Sequence, residues 1–526
     1  MFKKKTICFL ILIALCVTFT KIAQFAQKIE NTDVIKEIHR NDINLTEIES
    51  NLQNCPELNI ELKLWDVEGY FNSLENTCYF LINERYADRY IKPIIKIETE
   101  EDYYYSILSE SYNPDEGLCV DFNTTYDLLV YNDTNYYKMK MKFTTLPIIN
   151  ITAFQEITTS AQSALIEFYM EDYEDGVGTT YVNSETIIYV RGRSSLYHPK
   201  KQYRLKLRKD NDFYEVPLLG MDADEDWILD SLYSDYSKIR TKLSFDIWNQ
   251  MTSYTTNDFD NSLQMKYIDV YINDEYHGLY LLKEFYDWKK LDLDKNSEED
   301  SGILIKGIQY GDIDWNTYDT TKRTQDVFPM LMKYPKNLDD YSIYWDKILP
   351  KIYTNFFDKE NITEEYLLNN FYINNYNDYN LLINFIFAAD NFEEKNVYLS
   401  MKNMQDDTKV YITPWDLDMT YGYSWDSNSD SNMFENPENL PNVSNLWTNS
   451  KYVNERLITR YWDLRLQVFN MNNINKKIDS YYNKIKYSVA RDSEKWLETD
   501  LEEETNKIRN WIEQRIEILD KEFRSK

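Results

Sequence analysis

The chain has 526 residues, of which 43% are hydrophobic and 16% aromatic, a composition typical of globular rather than disordered proteins. It carries 89 acidic and 58 basic residues, which gives a net charge of −31. This charge argues against general nucleic-acid binding, because contacts to a phosphate backbone need a cationic surface. We therefore expect no nucleic-acid partner.

The N-terminal segment combines positive charge with a short apolar run. Three lysines precede the apolar residues of "MFKKKTICFLILIALCVTFTKIAQ", which predicts a signal peptide or signal anchor over residues 1–24. The apolar part, residues 6–19, is short for a spanning helix, which needs about 20 apolar residues, so cleavage and membrane tethering both stay open. Both alternatives predict the secretory pathway, and six N-x-[ST] sequons agree with a secreted glycoprotein.

Sequence patterns divide the rest of the chain into four segments. Residues 25–53 predict a stalk, and short aromatic and β-branched runs over 54–145 predict a small β-rich domain. Longer strand patterns over 146–290 predict a β-rich lobe, and helical patterns predominate over 291–526. The order predicts an α+β protein, with two lobes whose cleft is a usual place for a ligand.

Two elements have distinct periodicity. The stretch "MKYIDVYINDEYHGLYLLKEFY" (265–286) predicts a hairpin with "INDEYHG" as its turn. In the C-terminal tail, apolar residues recur three or four positions apart from Ile508 to Phe523. This spacing predicts one helix with a single apolar face.

Positive charge is concentrated in "RGRSSLYHPKKQYRLKLRK" (191–209), which holds eight Lys or Arg and no acid. A strand there ends in a turn with one Gly and two Ser, followed by "KKQYRLKL", whose alternation places Lys201 with Tyr203 on one face and Lys200 with Lys206 on the other. Backbone N–H groups, hydroxyls and a following lysine can cradle a phosphate. The alternative is an edge strand whose charges prevent edge pairing.

The acidic counterpart is "AADNFEEKNVYLSMKNMQDDTKVYITPWDLDMTYG" (388–422). Asp390 ends an apolar helical pattern and could accept the proton of an attacking hydroxyl, with Asn396 six positions later. In an extended strand, Asp416 and Asp418 share a face and repel each other unless a cation binds. Their oxygens are the ligands that Mg²⁺ or Mn²⁺ accepts. The alternative is a solvated loop with a helix-capping Asp.

Five ordered sequence blocks carry a family resemblance: "RGRSS…PKKQYRLKL", "LLGMDADEDWILDSLYSDYSKIRTKLSFDIW", "VYINDEYHGLYLLKEFYD", "AADNFEEKNVYL" and "PWDLDMTYG". In order and spacing they resemble the CotH family of spore-coat and secretory-pathway protein kinases, which have an atypical, reduced kinase fold. The resemblance covers about residues 146–425. It implies a bilobal kinase-like fold and transfer of phosphate from ATP, with Mg²⁺ or Mn²⁺, to Ser or Thr of secreted or coat proteins.

The resemblance also implies roles for individual residues. The implied catalytic pair is Asp390 and Asn396. The implied metal ligands are Asp418, Asp416 and Asn396. The implied ATP-binding residues are Arg191, Gly192, Ser194, Glu284 and one of Lys201 and Lys206. Arg240 matches a family position without an evident role.

A second function is consistent with the same resemblance. Some members of the family resemble cell-surface adhesion or invasion proteins, and a catalytically silent chain could also serve in coat assembly. The presence of the metal-binding acids favours the enzyme. The sequence also departs from ordinary kinases, because it has no Gly-rich triple and its Asp390–Asn396 spacing is one residue longer than usual.

Overall fold

The computed structural model describes residues 36–38, 42–56, 58–65, 67–97, 101–171, 179–253, 260–295, 301–313, 319–358, 361–391, 394–423 and 446–526. The predicted signal segment, residues 1–24, lies outside the described residues, as do residues 25–35 of the predicted stalk. The described chain mixes helices and strands, which confirms the predicted α+β class. Its described residues divide into two compact units: those of the first lie within 1–150, 167–182 and 271–276, and those of the second lie within 151–166, 183–270 and 277–526.

The first unit is rich in β-structure. Its elements are β1 (Lys36–Glu37), α1 (Leu45–Asn51), β2 (Gln53–Asn54), β3 (Ile60–Leu64), β4 (Val67–Glu68), β5 (Tyr70–Asn72), β6 (Thr77–Leu81), β7 (Tyr90–Ile91), β8 (Pro93–Ile97), β9 (Tyr104–Ile107), β10 (Tyr112–Asn113), β11 (Gly117–Cys119), β12 (Thr125–Tyr131) and β13 (Asn135–Thr144). The main sheet has the order β1-β9-β12-β13-β6-β5. Over Tyr137–Phe143 of β13, buried residues alternate with lysines that are at least partly exposed, as a half-buried strand requires.

Tyrosines form one part of the core of the first unit. Tyr70, Tyr79, Tyr169, Tyr271 and Tyr276 pack with Ile148 in a single buried cluster. The rings of Tyr271 and Tyr276 meet edge to face with centroids 5.4 Å apart, a favoured geometry for aromatic pairs. Part of the large Tyr content is therefore used for packing.

The second unit contains the candidate site, and five of the strands given next belong partly to each unit. The remaining strands are β14 (Ile148–Ala153), β15 (Gln162–Glu171), β16 (Thr179–Arg191), β17 (Gln202–Lys209), β18 (Asp212–Phe213), β19 (Asp226–Asp230), β20 (Met265–Ile272), β21 (Glu275–Lys283), β22 (Ile303–Gly307), β23 (Asp326–Val327), β24 (Met330–Tyr334), β25 (Val397–Met401) and β26 (Tyr411–Pro414). The helices are α2 (Arg240–Ser253), α3 (Ser342–Phe357), α4 (Glu364–Asn370), α5 (Ile373–Ile386), α6 (Lys451–Gln467), α7 (Met471–Lys495) and α8 (Leu501–Arg524). The predicted hairpin is confirmed by β20 and β21, with Asn273 and Asp274, both at positive φ, between them.

Two sheets bring the site residues together within this unit. In the first, β17 pairs antiparallel with β16 on one side and with β19 on the other, and β19 pairs with β21. The second has the order β23-β24-β22-β25-β26, so that β22 and β26 both neighbour β25. The site residues described below lie mainly at the ends of these strands.

Helix α5 packs against β26 of the second sheet. Helix α5 is buried on nearly all sides, which fits the apolar pattern that precedes Asp390. The predicted C-terminal helix is confirmed as α8, whose residues Ile508, Ile512 and Ile516 are buried along one face. The Asp500 side chain caps its first turn by accepting a hydrogen bond from the Glu503 N–H. Within the described residues, we find no helix with both the length and the apolar character needed to cross a bilayer.

Candidate active site

The loop after α5 presents Asp390 in a tightly held turn. The helix ends at Ile386, and Phe387 adopts a left-handed conformation with φ 46°. The buried Asn391 amide donates to the carbonyls of Asn396 and Trp415, at 2.9 and 2.7 Å. One side chain thus ties the Asp390 loop to the turn that follows β26.

Three donors converge on the Asp390 carboxylate. The Asn396 amide donates to Oδ2 at 3.0 Å, and the Lys395 ammonium binds the same oxygen. The Tyr310 hydroxyl donates to Oδ1 at 2.7 Å. The structure thus brings the two predicted catalytic residues, Asp390 and Asn396, into contact. Lys395 and Tyr310 were not anticipated, although Lys395 is next to Asn396 in the quoted motif.

Asp416 and Asp418 lie in a turn, not in a strand. β26 ends at Pro414, and Asp416 has a φ of 58°, so the premise that both acids share a face of an extended strand is wrong. The turn is fixed because the Trp415 N–H donates to the Asn396 carbonyl at 3.0 Å. The Ser234 hydroxyl lies 3.5 Å from Asp418 Oδ2.

Asp418 is half-buried, and its carboxyl has too little positive charge around it. Burial raises the pKa of Asp418 well above its usual range, and the charges of Asp416 and Asp230 raise it further, while Lys283 opposes them. No group of three or more His, Cys, Asp or Glu placed to hold a metal occurs among the described residues. Asp416 and Asp418 are therefore not part of a larger acid cluster within the described residues.

Lys283 and Lys306 supply the opposite charge, and sequence reasoning missed both. Lys283, the last residue of β21, binds Asp230 Oδ2 at 2.5 Å, and its charge lowers the pKa of Asp418. The ammonium of Lys306 lies 5.2 Å from the centre of the Trp415 ring. Burial lowers the pKa of Lys306 to about 7, and Asp416 opposes that shift. A signal was present: Lys306 is the one charged residue in the apolar strand "ILIKG".

Arg191 and the following turn lie at the edge of this cluster. The guanidinium of Arg191 donates to Gln202 Oε1 at 2.9 Å, and its charge lowers the pKa values of Asp230 and Lys306. Gly192 has a φ of 120°, and an added Cβ would meet Ser195 Oγ at 1.8 Å, so only glycine fits. Ser194 opens the short 3₁₀ turn Ser194–Tyr197 that follows.

The two candidate phosphate lysines have other partners. Lys201 donates to the Leu196 carbonyl at 2.7 Å within the turn. Lys206 lies 3.5 Å from Asp226 Oδ2, beside the ion pair that Arg204 forms with the same acid. The predicted alternation is confirmed within β17, where residues 203, 205 and 207 are buried and 202, 204 and 206 are partly exposed.

Lys200 departs from the predicted alternation. It precedes β17 and is completely buried, where its ammonium donates to Asp492 Oδ1 on α7 and to the Leu279 carbonyl. Lys238 Nζ lies 3.8 Å from Asp492 Oδ2. Burial lowers the pKa of Lys200 to about 8, and Asp492 opposes that shift. Lys200 is thus a core residue rather than part of a solvated face.

Glu284 and Arg240 have structural partners. Glu284 accepts from the Gln264 N–H at 2.7 Å and binds Lys290 at 2.8 Å, and burial raises the pKa of Glu284. Arg240, at the start of α2, binds Asp235 at 2.6 Å and donates to the Thr420 carbonyl at 3.3 Å. Arg240 therefore holds the segment that follows Asp418.

Comparison with known families supports the resemblance. The family model described as CotH kinase protein matches residues 188–519, which include every predicted site residue. The chain belongs to the CotH kinase family. Among curated proteins, none matches the chain. The family match begins within β16, so it leaves almost all of the first unit uncovered.

Proposed function

We propose that this CotH-family chain is a secreted or lumenal atypical protein kinase that transfers the γ-phosphate of ATP to Ser or Thr of secreted or coat proteins. Family membership supports a kinase. The observation that carries the proposal is that carboxylates and ammonium groups lie close together at one place. Asp416 raises the pKa of Lys306. Lys283 lowers the pKa of Asp418 and forms an ion pair with Asp230. Phosphoryl transfer needs such an arrangement, because catalysis there is mainly positioning and charge neutralisation.

The residues present fit a divalent cation bound together with phosphate. Asp416 and Asp418 would hold Mg²⁺ or Mn²⁺, and the structural reason is that the charge of the half-buried Asp418 is compensated too little by nearby lysines. Mg²⁺ usually takes one or two protein carboxylates and fills its other positions with water and substrate phosphates. Two acids without a third therefore suit a metal–nucleotide complex. When bound, the cation would neutralise charge on the transferred phosphoryl group.

The protein's own groups have the following proposed roles. The Asp390 carboxylate accepts the proton of the acceptor hydroxyl, whose oxygen attacks the γ-phosphorus as the bond to the β-phosphate breaks. Asn396 and Lys395 hold that carboxylate in place. Lys306 and Arg191 neutralise the phosphates. Lys306 replaces the lysines expected from the sequence because its ammonium lies over the Tyr398 and Trp415 rings, whereas Lys201 and Lys206 already contact a carbonyl and a carboxylate.

The proposal includes architecture and location. We assign the strands up to about residue 290 to a kinase-like N-lobe and the later, mainly helical part to a C-lobe. The apolar leader supports entry into the secretory pathway. Mass spectrometry of the mature N-terminus after expression in a secreting host tests the location, because a cytoplasmic product with residues 1–24 intact would contradict it.

Phosphate incorporation tests the activity. Purified protein, ATP, Mn²⁺ and a Ser-rich acceptor should give labelled acceptor, and Asp390→Asn and Asp418→Asn should each remove the label. Asp406→Asn is the matched control, since Asp406 is a fully exposed acid whose carboxylate pairs with Lys347 at the surface. Labelling that persists in both site variants would contradict the assigned site. Absence of labelling by the wild-type protein with every acceptor tried would contradict the kinase proposal.

A further inference from the structure

The segment after β22 connects the predicted phosphate turn with Asp390. Arg193, in the turn next to Gly192, donates from one guanidinium nitrogen to the Ile308 carbonyl at 2.6 Å and to Gln309 Oε1 at 2.9 Å. The next residue, Tyr310, reaches the Asp390 carboxylate with its hydroxyl, at 2.7 Å. The segment 308–310 therefore contacts the phosphate turn through its first two residues and the proposed base through its third.

The backbone of this segment is fixed on its other side as well. The Asn396 N–H donates to the Gly307 carbonyl at 3.1 Å, and the Gly311 N–H donates to the buried Glu394 carboxylate. A Cβ on Gly307 would lie 1.5 Å from the Glu394 carbonyl oxygen, so the strand and the catalytic loop approach as closely as a glycine allows. The position of the Tyr310 side chain therefore follows from a backbone held at both ends.

The Tyr310 hydroxyl occupies the place that a substrate hydroxyl needs. An acceptor must lie within hydrogen-bond reach of the base and beside the phosphates. Tyr310 meets the first condition because its hydroxyl contacts the Asp390 carboxylate. For the second condition, Arg193 of the phosphate turn contacts Ile308 and Gln309, the two residues that precede Tyr310. The residue is 38% exposed, which leaves room for a phosphoryl group. The Lys395 ammonium binds the same carboxylate and lies 4.9 Å from the centre of the Tyr310 ring, so a positively charged side chain also lies beside Tyr310.

We propose that Tyr310 is an intramolecular phosphorylation site of this chain, an inference that rests on the proposed kinase function. The Tyr310 oxygen forms a bond to the γ-phosphorus of a bound nucleoside triphosphate, and the bond between that phosphorus and the β-phosphate oxygen breaks. The phenolic proton passes to Asp390, and the products are phosphotyrosine and the nucleoside diphosphate. Attachment within the chain replaces substrate binding, which explains how a Tyr can react in a site proposed for Ser or Thr.

Peptide mass spectrometry of the full chain after incubation with ATP and Mn²⁺ tests the inference. We expect phosphate on Tyr310, formed at a rate per molecule that is independent of protein concentration, and none in Asp390→Asn. Tyr310→Phe should lack this phosphate, whereas Tyr452→Phe should keep it. Tyr452 is a suitable control because it is 44% exposed and its hydroxyl also has a partner, Arg456.

A mixing experiment and a parallel assay separate the outcomes. The Asp390→Asn chain mixed with ¹⁵N-labelled wild-type protein should stay unmodified at its own Tyr310, which the isotope distinguishes, and its phosphorylation there would overturn the intramolecular route. Transfer to an external Ser-rich acceptor is measured in the same tubes. If the acceptor is labelled while Tyr310 is not, this inference fails and the kinase proposal stands. If no transfer occurs and ATP does not bind, both fail.

Discussion

Lys283 and Asp230 form an ion pair 2.5 Å long at the facing ends of β21 and β19, and both side chains are largely buried. Burial alone would raise the pKa of Asp230, yet its pKa is lowered, because the charge and hydrogen bond of Lys283, the Leu232 N–H and the charge of Arg191 together outweigh burial. The same lysine acts on Asp418. The pair therefore links the strands of the first sheet to the acids of the candidate site.

Lys283→Met should be strongly destabilising, because it leaves the Asp230 carboxylate buried without a partner. We expect a loss of about 3–5 kcal/mol in the free energy of unfolding, measured by chemical denaturation. The double variant Lys283→Met/Asp230→Asn should recover most of that stability without recovering ATP affinity. Equal stability of the single variant and the wild type would contradict the buried pair.

The Asp230–Lys283 pair also predicts a pH dependence. Since the folded-state pKa of Asp230 is below its unfolded value, its stabilisation is present at neutral pH and is lost as the pH falls through that folded value. Acid unfolding of the wild type should therefore be steeper than that of the double variant Lys283→Met/Asp230→Asn. Denaturation midpoints measured across the acid range check this, and parallel curves for the two proteins would be evidence against it.

Nucleotide binding should be accompanied by proton uptake at Lys306. The pKa of Lys306 is about 7 in the protein, against an ordinary value of 10.5, so the group is largely neutral above pH 7. Phosphates beside it favour the charged form, so ATP affinity should fall as the pH rises above 7. Calorimetry in buffers of different ionisation enthalpy measures the uptake.

The matched variants for this effect are Lys306→Met and Lys451→Met, since Lys451 is an exposed lysine on α6. Lys306→Met should weaken ATP binding by about tenfold or more, the usual effect of losing a charge-assisted hydrogen bond. It should also abolish the proton uptake, while Lys451→Met should change neither quantity. Uptake that persists in Lys306→Met would assign the proton to another group.

Lys200 and Asp492 should be essential to stability. Asp492→Ala leaves the completely buried Lys200 ammonium without its acid, and we expect a loss of about 3–5 kcal/mol in the free energy of unfolding. Lys507→Ala, at an exposed pair on α8, should cost no more than about 1 kcal/mol. Urea denaturation of both variants decides the matter, and similar losses in the two would contradict a core role for Lys200.

Local patterns in the sequence were good guides to part of the molecule. The alternation of β17, the β20–β21 hairpin and the apolar face of α8 each follow from periodicity over neighbouring residues. Asp390 and Asn396 could be paired from the sequence because they lie in the same loop. In such cases, the residues that decide the structure are close along the chain.

Contacts between distant segments could not be anticipated in this way. Lys200 was expected on the same strand face as Lys206, but it is buried, and its partner Asp492 lies on a helix almost 300 residues later. Lys283 and Lys306 lie near the acids because the ends of separate strands lie close together in the fold. The sequence shows that a lysine lies in an apolar strand, but it does not show which residue that lysine contacts. Asp416 and Asp418 were assigned an extended conformation that the left-handed φ of Asp416 excludes.

The central proposal is that Asp416, Asp418 and Lys306 serve one metal–nucleotide site. A thermal-shift titration with ATP, with and without Mn²⁺, tests this proposal most directly. We predict that ATP stabilises the wild-type protein only when Mn²⁺ is present. Asp418→Asn and Lys306→Met, although far apart in sequence, should each abolish that shift. A shift of wild-type size in both variants, or no shift in the wild type at any concentration, would contradict the proposal.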